Sequence, residues 1–163
     1  MSESKRIRSY DYVNHPYDKV RDALSANTTT VFQAATKAAT SRASSLASEL
    51  RINLAGITVG ADVRISVTSI AESHDVGAAG PSTVIHFEWE AANMPHLFPF
   101  MKAELAMYPL TPTETQLDFS GIYEPPLGFL GSAMNAMVGH RIAEGSVHRF
   151  VADVAQYLRT SLK

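Results

Sequence analysis

The sequence predicts a single α+β domain over residues 1–163, in which a curved antiparallel sheet of about six strands wraps around one long C-terminal helix. Between residues 49 and 123, apolar and polar residues alternate with a period of two, which is typical of strands with one buried face. From about 131 to 161, apolar residues recur at helical spacing and no proline interrupts them. A helix of that length is about 45 Å long, so the strands must curve around it.

The N-terminal part is expected to hold one strand and two helices. Apolar and aromatic residues over 7–13 predict the strand, and Asn14-His15-Pro16 stops it. Pro16 at the first helical position predicts a short helix, and Asn27-Thr28 begins a second that runs to about residue 46. This second helix is rich in Ala, Ser and Thr, so we expect a weakly anchored covering helix. A mobile lid over a cavity mouth is the alternative.

Five further strands follow from the alternation. They are predicted over 50–54, 63–68, 82–91, 101–108 and 117–123, with turns near 56–61, 77–81 and 111–113. The apolar members of each strand must share one face, and the C-terminal helix is the long apolar element that can cover it. On the polar face, His86 lies with Glu88 and Glu90, which indicates a solvated surface.

The predicted C-terminal helix changes its apolar face part-way along. The stripe that begins at Leu130 and Met134 is continued by Arg141, Gly145, His148 and Arg149, while the stripe after Phe150 lies elsewhere around the helix. Gly145 marks the change, and a mid-helix glycine costs about 1 kcal/mol relative to alanine. It indicates a bend, close packing, or room for a ligand.

The order of elements resembles the helix-grip fold of the START and birch-pollen-allergen (SRPBCC) superfamily. The resemblance rests on the Tyr-Glu-Pro-Pro-Leu-Gly-Phe-Leu-Gly junction at 123–131 and on the helical segments at 141–144 and 149–151. This ending is similar to the polyketide-cyclase and lipid-transport branch. The resemblance implies a hydrophobic cavity between the sheet and the C-terminal helix, and it carries no catalytic signature.

Residues on the inward faces of the strands and of the helix are the candidate ligand-binding set. They are Ile85, Phe87, Trp89, Met101, Leu105, Met107, Phe119, Tyr123, Met134, Met137, Val138, Arg141 and His148. The methionines suit a flexible apolar ligand, but they suit a plain core equally well. Arg141, then His148, then the Tyr123 hydroxyl are the groups expected to orient a ligand carbonyl or carboxylate. Alternatively, Arg141 pairs with a surface carboxylate such as Glu144 or Asp118.

Composition and motifs exclude several classes of function. The formal net charge of −2 shows no basic excess, so we expect no nucleic-acid partner. The absence of cysteine excludes thiolate metal sites and disulfides, and no close pair of histidines predicts a metal. No phosphate loop or nucleophile elbow occurs, and we expect no cofactor. No segment has the length of a membrane span or a signal peptide, which predicts a cytoplasmic protein.

Three functional hypotheses remain. The first is the binding of a hydrophobic small molecule or lipid, and it is favoured because the predicted inward faces hold almost no ionisable groups. The second is a polyketide cyclase or aromatase that uses the same cavity. In the third, the apolar loop at 92–99, with Met94, Leu97 and Phe98, docks on a membrane surface, another protein or a second copy in a homodimer.

Overall fold

A computed structural model of the chain describes residues 5–49, 63–73, 80–91, 100–124 and 133–162. The elements in chain order are β1 (Lys5–Val13), α1 (Tyr17–Ala26), α2 (Thr28–Glu49), β2 (Val63–Ser73), β3 (Ser82–Ala91), β4 (Phe100–Thr111), β5 (Glu114–Glu124) and α3 (Ala133–Ser161). The predicted α+β class, the two helices after the first strand and the long C-terminal helix are confirmed.

The described strands form one antiparallel sheet in the order β1-β5-β4-β3-β2. The first strand therefore pairs with β5, and β1 and β2 are the two edge strands of the described sheet. Five strands are present in the described residues where the sequence predicted six. The missing one, predicted over 50–54, lies outside the described residues, as do the 92–99 loop and the Pro-Pro-Leu-Gly segment.

Helix α1 begins where the backbone leaves an extended residue. Pro16 is the N-cap of α1 with φ −60° and ψ 147°, and its carbonyl accepts hydrogen bonds from the amides of Lys19 and Val20. The proline thus precedes the first helical residue, and the prediction that it occupies that position was wrong. Its extended ψ supplies the cap geometry and leaves the carbonyl free to accept.

The inner face of the sheet is organised in rows that run across the strands. In the first row, which we call the Trp89 row, Trp89 on β3, Met101 on β4 and Tyr123 on β5 are neighbours in register. All three residues are buried, as the alternation predicted. The next row carries the small residues Ala103 and Gly121 in the same central strands. On β4 and β5, the row next to the Trp89 row therefore has only small side chains, which leaves room above the sheet there.

Five aromatic rings fill the space above these small side chains. We call them the ring cluster: Phe32 on α2, Phe87 and Trp89 on β3, Phe119 on β5, and Phe150 on α3. Their centroids lie 4.9–6.1 Å apart in the contacting pairs, mostly edge to face. A Cβ atom added at Gly121 would lie 2.9 Å from Cε1 of Phe119, so the ring occupies the room that glycine leaves.

The C-terminal helix runs along the β1–β5 side of the sheet and is held there by polar contacts. His140 bonds to the Tyr123 hydroxyl, His148 bonds to the Ser9 hydroxyl at 2.8 Å, and Arg159 donates to Asp11. Lys5 on β1 pairs with Tyr123, so the partners of His140 and His148 are separated by four residues along β1, about 13 Å. Residues 140 and 148 are about 12 Å apart along the helix axis, which matches this separation.

The buried stripe of α3 differs from the predicted one. It runs through Ala143, Val147, Phe150, Val151, Val154, Ala155 and Leu158, one continuous face at helical spacing. The prediction that Arg141, Gly145, His148 and Arg149 continue the inward face was wrong, because Ala143 and Val147 do so. From Ala143 onward, the buried residues of α3 belong to the same hydrophobic cluster as the inner face of the sheet.

Helix α2 contributes more to the core than its composition indicated. It packs beside α3, and its Phe32 ring is fully buried against the rings of Phe87 and Phe150. Val31, Ala35 and Ala39 are buried on the same face. Two adjacent helices, rather than α3 alone, therefore cover the inner face of the sheet, because one large ring on α2 reaches the space that its small residues cannot fill.

Candidate functional site

The indole nitrogen of Trp89 is a buried donor without an acceptor. The residue is 7% exposed, and within the described part of the chain no acceptor lies within hydrogen-bond distance of Nε1. Indole N–H can only donate, and an unpaired buried donor costs about 1–3 kcal/mol. The ring edges of Phe87, Phe119 and Phe150 surround the indole but offer no oxygen. The indole N–H is therefore an unpaired donor among aromatic side chains.

The second polar group of the Trp89 row is the hydroxyl of Tyr123, and it has a partner. Tyr123 Oη lies 2.8 Å from Nδ1 of His140, and Nε2 of the same imidazole lies 2.9 Å from Oε1 of Glu144. The phenol and imidazole rings lie 5.9 Å apart, with 24° between their planes. His140 and Glu144 are one helical turn apart on α3, so the helix geometry itself sets the imidazole–carboxylate contact.

The environment of Tyr123 keeps its hydroxyl protonated. Burial, followed by the nearby Glu144 carboxylate, raises the pKa of Tyr123 from 10.0 to about 12. Both causes act against a second negative charge at this position. At neutral pH the residue is therefore a neutral hydroxyl that can donate one hydrogen bond and accept others.

The structure brings most of the predicted strand residues together on the inner face. Ile85, Phe87, Trp89, Met101, Leu105, Met107, Phe119 and Tyr123 are all buried there. The side chains of Met134, Met137 and Val138 lie outside the described part of the chain. Arg141 is exposed, and His148 is exposed apart from its bond to Ser9. The structure therefore does not bring these two residues to the Trp89 row.

His140 and Glu144 were missed by the sequence analysis. A signal for His140 exists, because it precedes the buried Val147 by seven residues and so lies on the same helical face. The predicted apolar stripe continued from Met134 to Arg141, so His140 was left out. The predicted surface partners of Arg141 also have other ion pairs, since Glu144 pairs with His140 and Asp118 pairs with Arg8.

Other chemistry finds less support in the described residues. They contain no group of three or more His, Asp or Glu side chains arranged to hold a metal ion. His86 lies on the outer face, 46% exposed, with Glu104 at 3.2 Å, which agrees with the predicted solvated surface. Among the described helices, none combines the length and apolar character needed to cross a membrane.

Comparison with known proteins identifies the architecture. No family model matches the sequence, and no curated protein matches it. The structure is similar to the Zhui aromatase/cyclase from a Streptomyces species, with a TM-score of 0.54 and 13% identity over 99% of this chain and 97% of that one. The chain has the helix-grip fold.

Two other solved helix-grip proteins are similar at lower scores. Norcoclaurine synthase from Thalictrum flavum gives a TM-score of 0.47 at 10% identity, covering 100% of this chain and 99% of that one. Ara h 8.0201 gives 0.47 at 7% identity, covering 97% and 99%. The likeness to the Streptomyces aromatase/cyclase, at 13% identity, shows the fold alone, so the function must be argued from the residues of the site.

Proposed function

We propose that the protein binds an apolar small molecule with a neutral hydrogen-bond-accepting oxygen, held between the Trp89 row and α3. The unpaired N–H of Trp89 is the observation that supports this most directly. A ligand carbonyl or hydroxyl oxygen at that nitrogen would relieve the cost of an unpaired donor. The surrounding aromatic wall would gain from covering apolar ligand surface.

The ring cluster limits where such a ligand fits. Because the five rings pack against one another, we place the ligand at the edge of the cluster, on the Trp89 row. We assign ligand contacts to Trp89, Met101 and Tyr123, and we assign the floor of the site to Phe87 and Phe119. Ile85 and Leu105 share a row with Phe119, and Met107 lies in the next row; we assign these three residues to the core.

The remaining predicted contacts are carried as part of the proposal. Met134, Met137 and Val138 lie on the first half of α3, the half in which His140 contacts Tyr123. Ligand contacts of Arg141 and His148 would require these exposed side chains to turn inward. Lipid as the ligand, a homodimer and a cytoplasmic location stay predictions from the sequence.

Calorimetric titration with a matched pair of probes tests the proposal. β-Tetralone and tetralin are bicyclic molecules of nearly equal size that differ in one carbonyl group. Wild-type protein is expected to bind β-tetralone more tightly than tetralin. Trp89→Phe keeps an apolar ring but removes the N–H, so it is expected to weaken β-tetralone binding by roughly tenfold, the value of one buried hydrogen bond.

The same variant provides the control. Tetralin has no oxygen, so its affinity should be nearly equal for wild type and Trp89→Phe. Equal loss for both probes would mean that the indole contributes only its apolar surface. Failure of both probes to bind wild type would contradict the proposed function.

A second candidate is a cyclase or aromatase activity, as named for the Streptomyces helix-grip protein. The hydrogen bond between Tyr123 and His140 favours it, since cyclisation and aromatisation require proton transfer at carbonyl groups. Low sequence identity means that the fold alone does not support this activity. Ligand binding comes first, because any reaction in this site requires it.

A further inference from the structure

The contacts of Tyr123 connect the interior of the protein with solvent in two steps. Tyr123 is 3% exposed. Its partner His140 has a side chain that is 35% exposed, and Glu144 beyond it is 59% exposed. The two polar contacts, at 2.8 and 2.9 Å, are within hydrogen-bond distance. A buried hydroxyl, a half-buried imidazole and an exposed carboxylate therefore form one chain of hydrogen bonds from inside to outside.

The chemistry of each group fixes how protons are placed along this chain when the imidazole is neutral. An ionised carboxylate can only accept hydrogen bonds, so Nε2 of His140 carries the imidazole proton and donates a hydrogen bond to Glu144. Nδ1 is then an acceptor, and the Tyr123 hydroxyl donates to it. The remaining lone pairs on the Tyr123 oxygen can accept a proton from a ligand. The carboxylate also stabilises the imidazolium that would form.

We propose that Tyr123, His140 and Glu144 form a proton relay and that the protein catalyses keto–enol proton exchange on an apolar ketone bound at the Trp89 row. This inference rests on the proposed ligand-binding function and adds a reaction to it. Trp89 and Tyr123 are two strands apart in one row, with Cα atoms about 10 Å apart, so one small ligand can contact both side chains.

The ligand loses one proton and keeps the electron pair of the broken C–H bond, which leaves it as an enolate. The C–H bond next to the carbonyl breaks, its electron pair forms the C=C bond, and negative charge develops on the carbonyl oxygen. The N–H of Trp89 donates a hydrogen bond to that oxygen. The released proton goes to the Tyr123 oxygen as the phenolic proton passes to Nδ1 of His140. Reversal of these steps returns a proton to carbon, after exchange with solvent through the exposed imidazole and carboxylate.

Deuterium exchange into β-tetralone measures this reaction directly. The probe is incubated with protein in heavy water, and loss of its α-hydrogens is followed by proton nuclear magnetic resonance. Wild type is expected to accelerate exchange above the buffer rate. Tyr123→Phe is expected to lose roughly a hundredfold of the protein-dependent rate at saturating β-tetralone, the usual contribution of a positioned acid–base group.

Chemical rescue distinguishes a proton relay from a structural role of His140. His140→Ala should slow protein-dependent exchange by roughly tenfold or more, and added imidazole should restore part of the rate because the site of the missing ring reaches solvent. His86→Ala is the matched control. It removes another histidine paired with a glutamate, at 3.2 Å, on the outer face of the sheet, and it should leave exchange unchanged.

The outcomes separate the two proposals. If wild type binds β-tetralone without accelerating exchange, the relay is overturned while ligand binding stands. If Tyr123→Phe exchanges at the wild-type rate, or if His140→Ala is slow and imidazole gives no rescue, the relay is likewise overturned. If wild type does not bind β-tetralone, both proposals fail together.

Discussion

At the scale of single residues, two polar groups among apolar neighbours define the proposed site. Trp89 presents a buried N–H that has no partner in the described part of the chain, and Tyr123 presents a buried hydroxyl that has one. An unpaired buried donor is costly in an empty protein and useful in a binding protein, since a ligand acceptor can recover that cost. This difference is the basis for the two roles we propose, in which Trp89 donates to a ligand oxygen and Tyr123 takes part in proton transfer.

The titration of Tyr123 is predicted to occur well above that of an ordinary tyrosine. Difference spectra of tyrosinate absorbance between wild type and Tyr123→Phe should isolate this residue, with a pKa of about 12 rather than 10.0. Because the folded-state pKa lies above the unfolded value, the stabilising contribution is complete below pH 10 and is lost as pH rises towards 12. The free energy of unfolding should therefore fall more steeply in wild type than in Tyr123→Phe over that window.

A difference spectrum centred near the ordinary pKa would contradict this description of Tyr123. It would mean that water reaches the phenol, or that the Glu144 carboxylate lies farther away than the structure shows. The slope of stability against pH, at most about 1.4 kcal/mol per unit for one group, would then be the same in both proteins above pH 10.

At the scale of elements, α3 is positioned on the sheet by polar contacts as well as by its apolar face. Arg159, near its C-terminal end, donates to the Asp11 carboxylate at 2.7 Å and to the carbonyl of Tyr12, and its guanidinium lies over the Tyr12 ring. At the other end of the described helix surface, His140 bonds to Tyr123. These contacts fix the helix along β1, so they also fix the distance between His140 and the Trp89 row.

We predict that Arg159→Ala lowers the free energy of unfolding by about 1–3 kcal/mol, because a part-buried carboxylate and a carbonyl both lose the guanidinium donor, and the Asp11 carboxylate keeps only the amide of Tyr12. Chemical denaturation monitored by circular dichroism measures this change. Arg8→Ala is the matched control, since its 3.3 Å pair with Asp118 joins a guanidinium side chain that is 67% exposed. That exposed pair should contribute less than about 1 kcal/mol, and equal effects of the two substitutions would contradict the anchoring role of Arg159.

Strands were predicted well from the sequence, and the C-terminal helix only in part. Period-two alternation placed β3 correctly, with Phe87 and Trp89 facing inward, because a strand has two faces and one choice settles every residue. Each residue of a helix points 100° away from the one before it, so an error of one or two residues assigns the whole stripe to another face. The stripe extended from Met134 led to Arg141, whereas the buried face contains Ala143 and Val147.

The site was predicted less completely than the fold, for a physical reason. Sequence alternation shows that Tyr123 and Trp89 face inward, but a hydrogen-bond partner depends on how two elements are placed against each other. His140 meets Tyr123 only because α3 runs along β1 and β5. The sequence could not predict either that the Trp89 N–H has no acceptor among the described residues, since a missing acceptor leaves no sequence pattern.

At the scale of the whole molecule, the ring cluster divides the interior. On one side of it, Met107, Leu117 and the apolar residues of α1 are buried. At its other edge lie the Trp89 row and the part of α3 that carries His140 and Glu144, and there we place the proposed site.

The resonance of the Trp89 indole N–H tests the central claim most directly. The sequence contains one tryptophan, so ¹H–¹⁵N spectra hold a single indole signal from this chain. Saturation with β-tetralone is predicted to move the indole proton downfield as it bonds to the ligand oxygen, while tetralin should leave it close to its position in the free protein. An indole signal unchanged by saturating β-tetralone would contradict the claim that Trp89 receives a ligand oxygen.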